Sequence, residues 1–518
     1  MKSKNKGLAA LTCFTIMVCI FSFMVMGTAN GAQPAKTPSK ITVVLPAEPD
    51  TLDPTTTKFS VTSAPISNNI FERLVDLTPD GKFVPGIASW KVSPDGLVVE
   101  FTLRQGVKFH NGDPLTTKDV QFSHERALKT NPTHQRAMRN LDKFEIIDDY
   151  KCRFVFKKPD VLFLPTRSLT IVSKSYFDKV GEDQFVAKPV GTGPYKFVDW
   201  KLGEYIDIAA NDNYWGPKPQ VKEARFRFVK EDSTRVAMLK SGEADIIMST
   251  PYAMVKDVET AGFKTARLPT HPPTSIQFHN NNPDVPWYKR DVRLAIAMAI
   301  DGDTIVKNLF QGIPGRFPRL APGELGYDPN LKQYPYDPKK AKELLAKAGY
   351  QNGFDMPLYY FTGRIAGQKE TAEAVVLYLN AIGIRAKPQG IDAPQMLEKV
   401  RAWHDDPKTV YVGLATTPMA HLPEPTEALA SAYYSKDRMA MWWNPKLDTL
   451  IETIQVTMDN KKRGELLKQA IKMIHDDVAT IQIYTATDIY AMQSRIEFTP
   501  TKKNREPLML IKDVKIKS

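Results

Sequence analysis

Apolar residues recur along this chain with two different periods, and the two alternate. The run Ile41-Thr42-Val43-Val44-Leu45 has the length and composition of a buried strand. Over residues 97–103, Leu97, Val99, Phe101 and Leu103 share one face while Glu100 and Thr102 take the other. The turn residues Pro94-Asp95-Gly96 join this segment to residues 87–92, which predicts a hairpin with one buried side. Cys152 alternates with Phe154 and Phe156 in the same way, so its thiol is expected on an apolar strand face, as a small hydrophobe rather than a nucleophile.

Helical spacing replaces alternation elsewhere. Tyr336-Asp337-Pro338 supplies a cap and an initial proline, Ala341, Leu344, Leu345 and Ala348 form a stripe, and Gly349 closes the segment. Asn444-Pro445 opens another helix, with Leu447, Leu450, Ile451 and Ile454 as its buried face. A third stripe runs through Leu466, Leu467, Ala470, Ile471 and Ile474. Residues 232–240 read as a helix and Asp245-Ile246-Ile247-Met248 as the strand after it. Strands and helices alternating in this way predict an α/β chain.

The first 31 residues do not belong to that pattern. Lys2, Lys4 and Lys6 precede an uncharged apolar run from Leu8 to Met26, and Ala29-Asn30-Gly31 follows, the layout of a secretory signal peptide cleaved before Ala32. Cys13 and Cys19 lie inside the apolar run, so neither stands where a lipid anchor requires a cysteine. Cleavage leaves 487 of the 518 residues, enough for two or three packed units, with Cys152 as the remaining cysteine and hence no internal disulfide. The formal charge of +12 falls to +9 once the three signal lysines leave, and the other basic residues are interspersed with acids. No nucleic-acid stripe results, and no second long apolar run follows the signal. A soluble, monomeric periplasmic protein is expected.

Motifs that would announce catalysis fail on inspection. Gly191-Thr192-Gly193-Pro194-Tyr195-Lys196 places Lys196 where a dinucleotide loop needs a small residue. His124-Glu125 lacks a second histidine at Leu128, and Asn211-Asp212-Asn213-Tyr214-Trp215-Gly216 puts Trp215 where a calcium loop needs oxygen. No two of the eight histidines stand four apart on one helix, so no metal, cofactor or enzymatic activity is expected.

Leu45-Pro46-Ala47-Glu48-Pro49-Asp50-Thr51-Leu52-Asp53-Pro54 resembles the opening of the bacterial extracellular solute-binding proteins, family 5, the ABC-transporter receptors for peptides and nickel. The resemblance continues through VPGIASWKVSPDGLVVEFTLRQGVKFHNGDPLTTKDVQFSHER at 84–126, PVGTGPYKFVDWKLGEYIDIAANDNYWG at 189–216, RVAMLKSGEADI at 235–246, DVRLAIAMAID at 291–301 and YDPKKAKELLAKAGY at 336–350. Within these segments Arg104 and His110 read as loop-stabilising residues, and Thr116 with Asp119 as a helix cap.

The resemblance implies a two-lobed periplasmic binding protein, type II and cluster C-like, with an extra subdomain inserted in the first lobe. Lobe I would comprise 41–78, 190–284 and 478–518, the insert 79–189, and lobe II 285–477. Two prolines in Asn282-Pro283-Asp284-Val285-Pro286, before a new capped helix, support the last boundary independently. The implied function is capture of a small solute, most of all a peptide or peptide-like one, by lobe closure and its delivery to an ABC permease in the inner membrane. Matched by position, the ligand-lining residues would be Thr57, Lys58, Phe59 and Ser60 from lobe I. Lobe II would supply Arg364, Thr416, Thr417, Met419 and His421. The aspartate with which peptide-binding relatives hold an ammonium group is missing from the run Val412-Gly413-Leu414-Ala415-Thr416-Thr417-Pro418-Met419-Ala420-His421. A buried ammonium there would lack its counter-charge, at a cost of several kcal/mol. A sugar, an opine-like compound or a metal chelate therefore stays open as the solute, as do a sensory or chaperone role and a dispersed-site hydrolase.

Overall fold

The computed structural model describes residues 40–56, 62–78, 83–131, 134–135, 138–161, 169–280, 282–362, 367–406, 408, 410, 412–416, 425–437, 439–503 and 506–517. The signal sequence expected over residues 1–31 lies outside these residues.

A ten-stranded mixed sheet organises the chain. In chain order its strands are β1 (Lys40–Leu45), β2 (Tyr195–Lys201), β3 (Tyr205–Ala210), β4 (Glu223–Phe228), β5 (Ile246–Ile247), β6 (Lys264–Phe278), β7 (Asp355–Phe361), β8 (Arg385–Ile391), β9 (Val412–Thr416) and β10 (Thr480–Met492). Across the sheet they lie as β8-β7-β9-β6-β10-β5-β1-β4-β3-β2. The run predicted from Ile41 onward is thus a central strand, with Val43 and Val44 fully buried because both its faces are covered.

The two long strands β6 and β10 pair antiparallel along most of their length and are shared by both halves of the sheet. On one side β5 pairs with the Ala491-Met492 end of β10, and β1 lies parallel to β5 and β4. On the other side β9 pairs with the Thr274–Phe278 end of β6, followed by β7 and β8, all three parallel to one another. Between the halves the β6–β10 register shifts at Pro269/Pro273 and again at Thr274/Ser275. Each half has its own core, one around Ile41, Phe226, Ile246 and Tyr490, the other around Ile276, Ile296, Leu358, Leu414 and Ile481.

A separate four-stranded antiparallel sheet, in the order Ala88–Val92, Val98–Leu103, Lys151–Phe156 and Leu141–Asp148, encloses a third core. It contains the predicted hairpin, and Cys152 lies opposite Phe101 with its thiol fully buried and pushed up to about 12 by desolvation. A mainly helical cluster over Thr426–Tyr433, Pro445–Val456 and Asn460–Asp476 contains the stripes read around Leu447 and Leu467.

The predicted caps form: Asp337 accepts from Lys340 N and Asn444 from Lys446 N, while Thr116 and Asp119 make a reciprocal capping box. The helix expected after Pro286 differs in detail. A single 3-10 turn, Pro286–Tyr288, comes first, and the helix Arg290–Ala299 begins without a side-chain cap at Lys289. Buried Arg293 instead donates from the next turn to the carbonyls of Trp287 and Tyr288, tying the 3-10 turn to the helix.

Candidate functional site

Strand direction places the site. In the first half β1, β4 and β5 end at Leu45, Phe228 and Ile247, and the pairing Ile247↔Ala491 directs those carboxyl ends along β10 toward Thr487. In the second half β7, β8 and β9 end at Phe361, Ile391 and Thr416, and Thr416↔Thr274 directs theirs along β6 toward Pro273. Two sets of parallel strands therefore aim their carboxyl ends at the same interrupted stretch of the shared strands, the position at which open α/β sheets bind ligands.

The expected ligand residues follow these ends in the chain. Thr57, Lys58, Phe59 and Ser60 come after β1, Arg364 after β7, and Thr417, Met419 and His421 after β9; all eight lie outside the described residues. Thr416 is the last residue of β9.

What holds the neighbouring backbone is described. Just before residue 57, buried Asp53 accepts from Thr55 N (2.9 Å), Thr55 Oγ1 (2.6 Å) and Arg126 Nη2 (2.7 Å). Arg126, on the helix Thr117–Thr130, also donates to Thr55 Oγ1 (3.0 Å), forks onto Glu182 (2.6 and 2.7 Å) and lies over the rings of Phe177 and Phe185. Thr130 Oγ1 donates to Thr55 O at 2.7 Å. The loop leaving β1 is thereby fastened to the helices of the four-stranded subdomain.

In the second half, the buried amide of Gln368 accepts from Phe361 N (3.0 Å) and donates to Leu414 O (3.1 Å), cross-linking the carboxyl ends of β7 and β9. At the junction Ser249 adopts φ 56° and donates to Asp488 on β10 (3.1 Å), and Arg235 Nη2 donates to Ser249 O (3.0 Å). Burial pushes the Asp488 carboxyl up to about 6, opposed by the Ser249 hydroxyl and the Arg235 charge. Sequence reasoning named none of Arg126, Gln368, Tyr252 and Asp488, because each depends on a partner 46 to 239 residues away.

The signature segments prove to be scaffold. His110 Nε2 donates to Gly193 O (3.0 Å) and its Nδ1 accepts from Gly191 N (3.3 Å), a neutral imidazole lowered to about 4 by burial. A Cβ on Gly191 would meet Ile70 O at 2.1 Å, which explains the glycine. Tyr214 and Trp215 donate to the Glu72 carboxylate (2.8 and 2.9 Å), whose pKa burial raises, and Arg104 lies 4.3 Å over Trp215. The fold also brings His124 Nδ1 within 3.0 Å of His134 Nε2, but no group of three metal-ligating side chains is found among the described residues.

Comparison with known proteins agrees with this geometry. The family model described as bacterial extracellular solute-binding proteins, family 5 Middle, matches residues 82–439. The di/tripeptide-binding protein 2 of Pseudomonas aeruginosa is 29% identical over 497 residues, covering 88% of this chain and 92% of its own. The periplasmic binding protein DppA of Helicobacter pylori, solved with the peptide STSA, superposes with a TM-score of 0.77 at 25% identity, covering 93% of this chain and 99% of its own. NikA of Brucella suis, solved with Fe(III)-EDTA, shares the fold with a TM-score of 0.83 at 24% identity over 92% of this chain and 100% of its own. The two-lobed type II binding-protein fold implied by the sequence segments is the one found, and with a family match over more than half its length the chain belongs to the bacterial extracellular solute-binding proteins, family 5.

Proposed function

We propose that this protein is the periplasmic substrate-binding component of an ABC importer, taking up a peptide or peptide-like solute by closure of two lobes and passing it unchanged to a membrane permease. The observation that carries the proposal is the pair of facing strand ends across the β6–β10 crossing. A solute held from both sides favours the closed arrangement by the difference of its affinities for the two states. The register shifts at Pro269/Pro273 and Thr274/Ser275 are where the shared strands can bend.

We assign 41–78, 190–284 and 478–518 to lobe I, 79–189 to its insert and 285–477 to lobe II, a division that the separate hydrophobic cores support away from the shared strands, whose Ile276 and Ile481 ends pack in the core of the second half. Thr57, Lys58, Phe59 and Ser60 line the cleft from lobe I, and Arg364, Thr416, Thr417, Met419 and His421 from lobe II. The peptide class draws support from the di/tripeptide-binding relative and from the STSA-bound neighbour. Thr416, Thr417 and Pro418 offer no anion to a peptide ammonium, so the preferred solute is one that does not depend on such a clasp.

Native mass spectrometry of freshly purified protein tests the reading. The expected result is a retained mass that fragments as a peptide, whose return to stripped protein compacts the particle in small-angle scattering. A sugar or chelate mass would overturn the peptide class, and absence of compaction with every solute would overturn the closure mechanism.

A further inference from the structure

Three buried arginines of this fold pair with carboxylates. Arg126 meets Asp53 at 2.7 Å, Arg293 meets Asp477 at 3.1 Å, and Arg235 pairs with Asp232. Arg319, 5% exposed, has no carboxylate within ion-pair distance among the described residues. Its terminal nitrogens reach neutral oxygens: Thr480 Oγ1, Thr480 O at 2.7 Å and the Tyr433 hydroxyl at 3.5 Å. An unpaired buried charge is costly unless something compensates it, and this one is felt nearby, where it helps hold His475 in its neutral form.

Beside this cluster lies a void lined by Gln277, Tyr433, Thr480 and Trp442, with Met439 and Met441, with room for about one water-sized occupant. Two of the lining groups can donate into it. Gln277, 5% exposed, has no partner for Nε2. Arg319 donates to Thr480 Oγ1, and the Thr480 and Tyr433 hydroxyls are 3.3 Å apart with either able to donate; when Thr480 donates, the Tyr433 hydrogen is left for an occupant of the void and is polarised by the chain from the guanidinium. The complement of an unmatched amide donor and a hydroxyl that can turn toward it, beside an unbalanced positive charge, is a small anion, and the flexible side chains of Met439 and Met441 can adjust to its size.

We propose that the second half of the sheet, where the shared strands meet lobe II, contains a buried site for a small monovalent anion of halide size, held by Gln277 Nε2 and the Tyr433 hydroxyl and balanced by Arg319. It is separate from the solute cleft: Gln277 pairs with Gly413, three residues before the end of β9, or about 10 Å below the strand end. The anion would lock the Thr480 end of β10 against the helix Thr426–Tyr433, in the half of the sheet that rotates on closure.

Diffraction from crystals of the full chain soaked in sodium bromide is the direct test. The expected result is an anomalous peak within hydrogen-bond distance of Gln277 Nε2 and the Tyr433 hydroxyl; a peak-free site holding only water overturns the proposal. In solution, the thermal midpoint should rise by about 2 °C or more in sodium chloride or bromide relative to sodium gluconate of equal ionic strength. A matching rise in sodium acetate would extend the site to carboxylates, whereas equal midpoints in all four salts overturn it. Arg319→Met should abolish the halide response. Should that variant not fold, Gln277→Leu, which removes a donor and fills the void, should fold and lose the same response; a response that survives Gln277→Leu also refutes the site. None of these readouts involves the transported solute, so they stand or fall independently of the peptide assignment.

Discussion

The Tyr252 hydroxyl serves both backbone groups of Thr487, donating to its carbonyl at 2.9 Å and accepting from its N–H at 3.0 Å. Thr487 sits in β10 opposite Pro269, which has no N–H to give, where the ladder between the shared strands is interrupted. A phenol inserted at the junction thus supplies the donor that the proline cannot give and accepts from the same residue's N–H. Tyr252→Phe should leave both groups unsatisfied and cost about 1–3 kcal/mol, read as a lower urea midpoint. Amide exchange should quicken most at Thr487; a uniform quickening over the whole chain would contradict a role confined to the crossing.

Arg126 and Asp53 form a nearly dry ion pair, with side chains 8% and 1% exposed, next to the run expected to line the cleft. Arg126→Met strands a buried carboxylate and should cost about 3–5 kcal/mol. Glu182, on the solvent side of the same guanidinium with 54% of its side chain exposed, should matter far less, by under about 1 kcal/mol on Glu182→Ala. Pairing Arg126→Met with Asp53→Asn should recover part of the loss, since the stranded charge is then gone. Chemical denaturation of the four proteins checks the ordering.

The contrast between these residues and the elements around them shows what the chain discloses locally. The Asp337-Pro338 and Asn444-Pro445 caps, the hairpin around Asp95 and the strand carrying Cys152 could be read because each rests on residues within a few positions. Lobe architecture was legible only through resemblance, since nothing local says that β6 and β10, over 200 residues apart, share one ladder. The cleft was legible least. Its supports join residues such as Arg126 with Asp53 and Tyr252 with Thr487 across the sheet, and a pairing formed by topology leaves no spacing in the sequence.

Acidification should reveal two opposed contributions. His110, His124 and His475 are each lowered by burial to about 4, so the unfolded chain binds protons first and stability falls as pH drops from about 6.5 toward 4. Asp488, raised to about 6, acts the other way: the folded chain binds its proton first, and stability rises as pH drops through 6 toward 4. Asp488→Asn should therefore gain roughly 1–2 kcal/mol at pH 8, where the half-buried charge is otherwise present, and little at pH 4. Its acid loss between pH 6.5 and 4 should be steeper than in the unaltered protein, as read by thermal midpoints across that range.

Arg364 follows the carboxyl end of β7, one of the strands aimed at the crossing. A guanidinium there would hold a solute carboxylate through two parallel bonds. Arg364→Ala should weaken binding of the carboxylate-bearing solute recovered from the protein by about tenfold or more, measured by calorimetry. The amidated form of that solute should lose affinity for the unaltered protein and show little further loss with the variant. Equal affinity of Arg364→Ala for both forms, at the unaltered protein's level, would remove the residue from the site.

Gln368 offers the sharpest separation of positioning from contact. Its amide joins Phe361 N to Leu414 O, so it fixes the spacing of β7 and β9 just where the runs containing Arg364 and Thr417 begin, and it is 1% exposed. Gln368→Leu removes both bonds within a similar volume, leaving a buried N–H and a buried carbonyl, at a cost of about 2–4 kcal/mol for the two groups. Gln368→Glu keeps the acceptor for Phe361 but cannot donate to Leu414, and it buries a carboxyl that desolvation would hold protonated, a form able to restore the missing donor. Solute affinity of Gln368→Glu should therefore improve as pH is lowered from 8 to 5, while that of Gln368→Leu stays weak throughout. Parallel pH profiles for the two variants would show that strand spacing at this point does not govern capture.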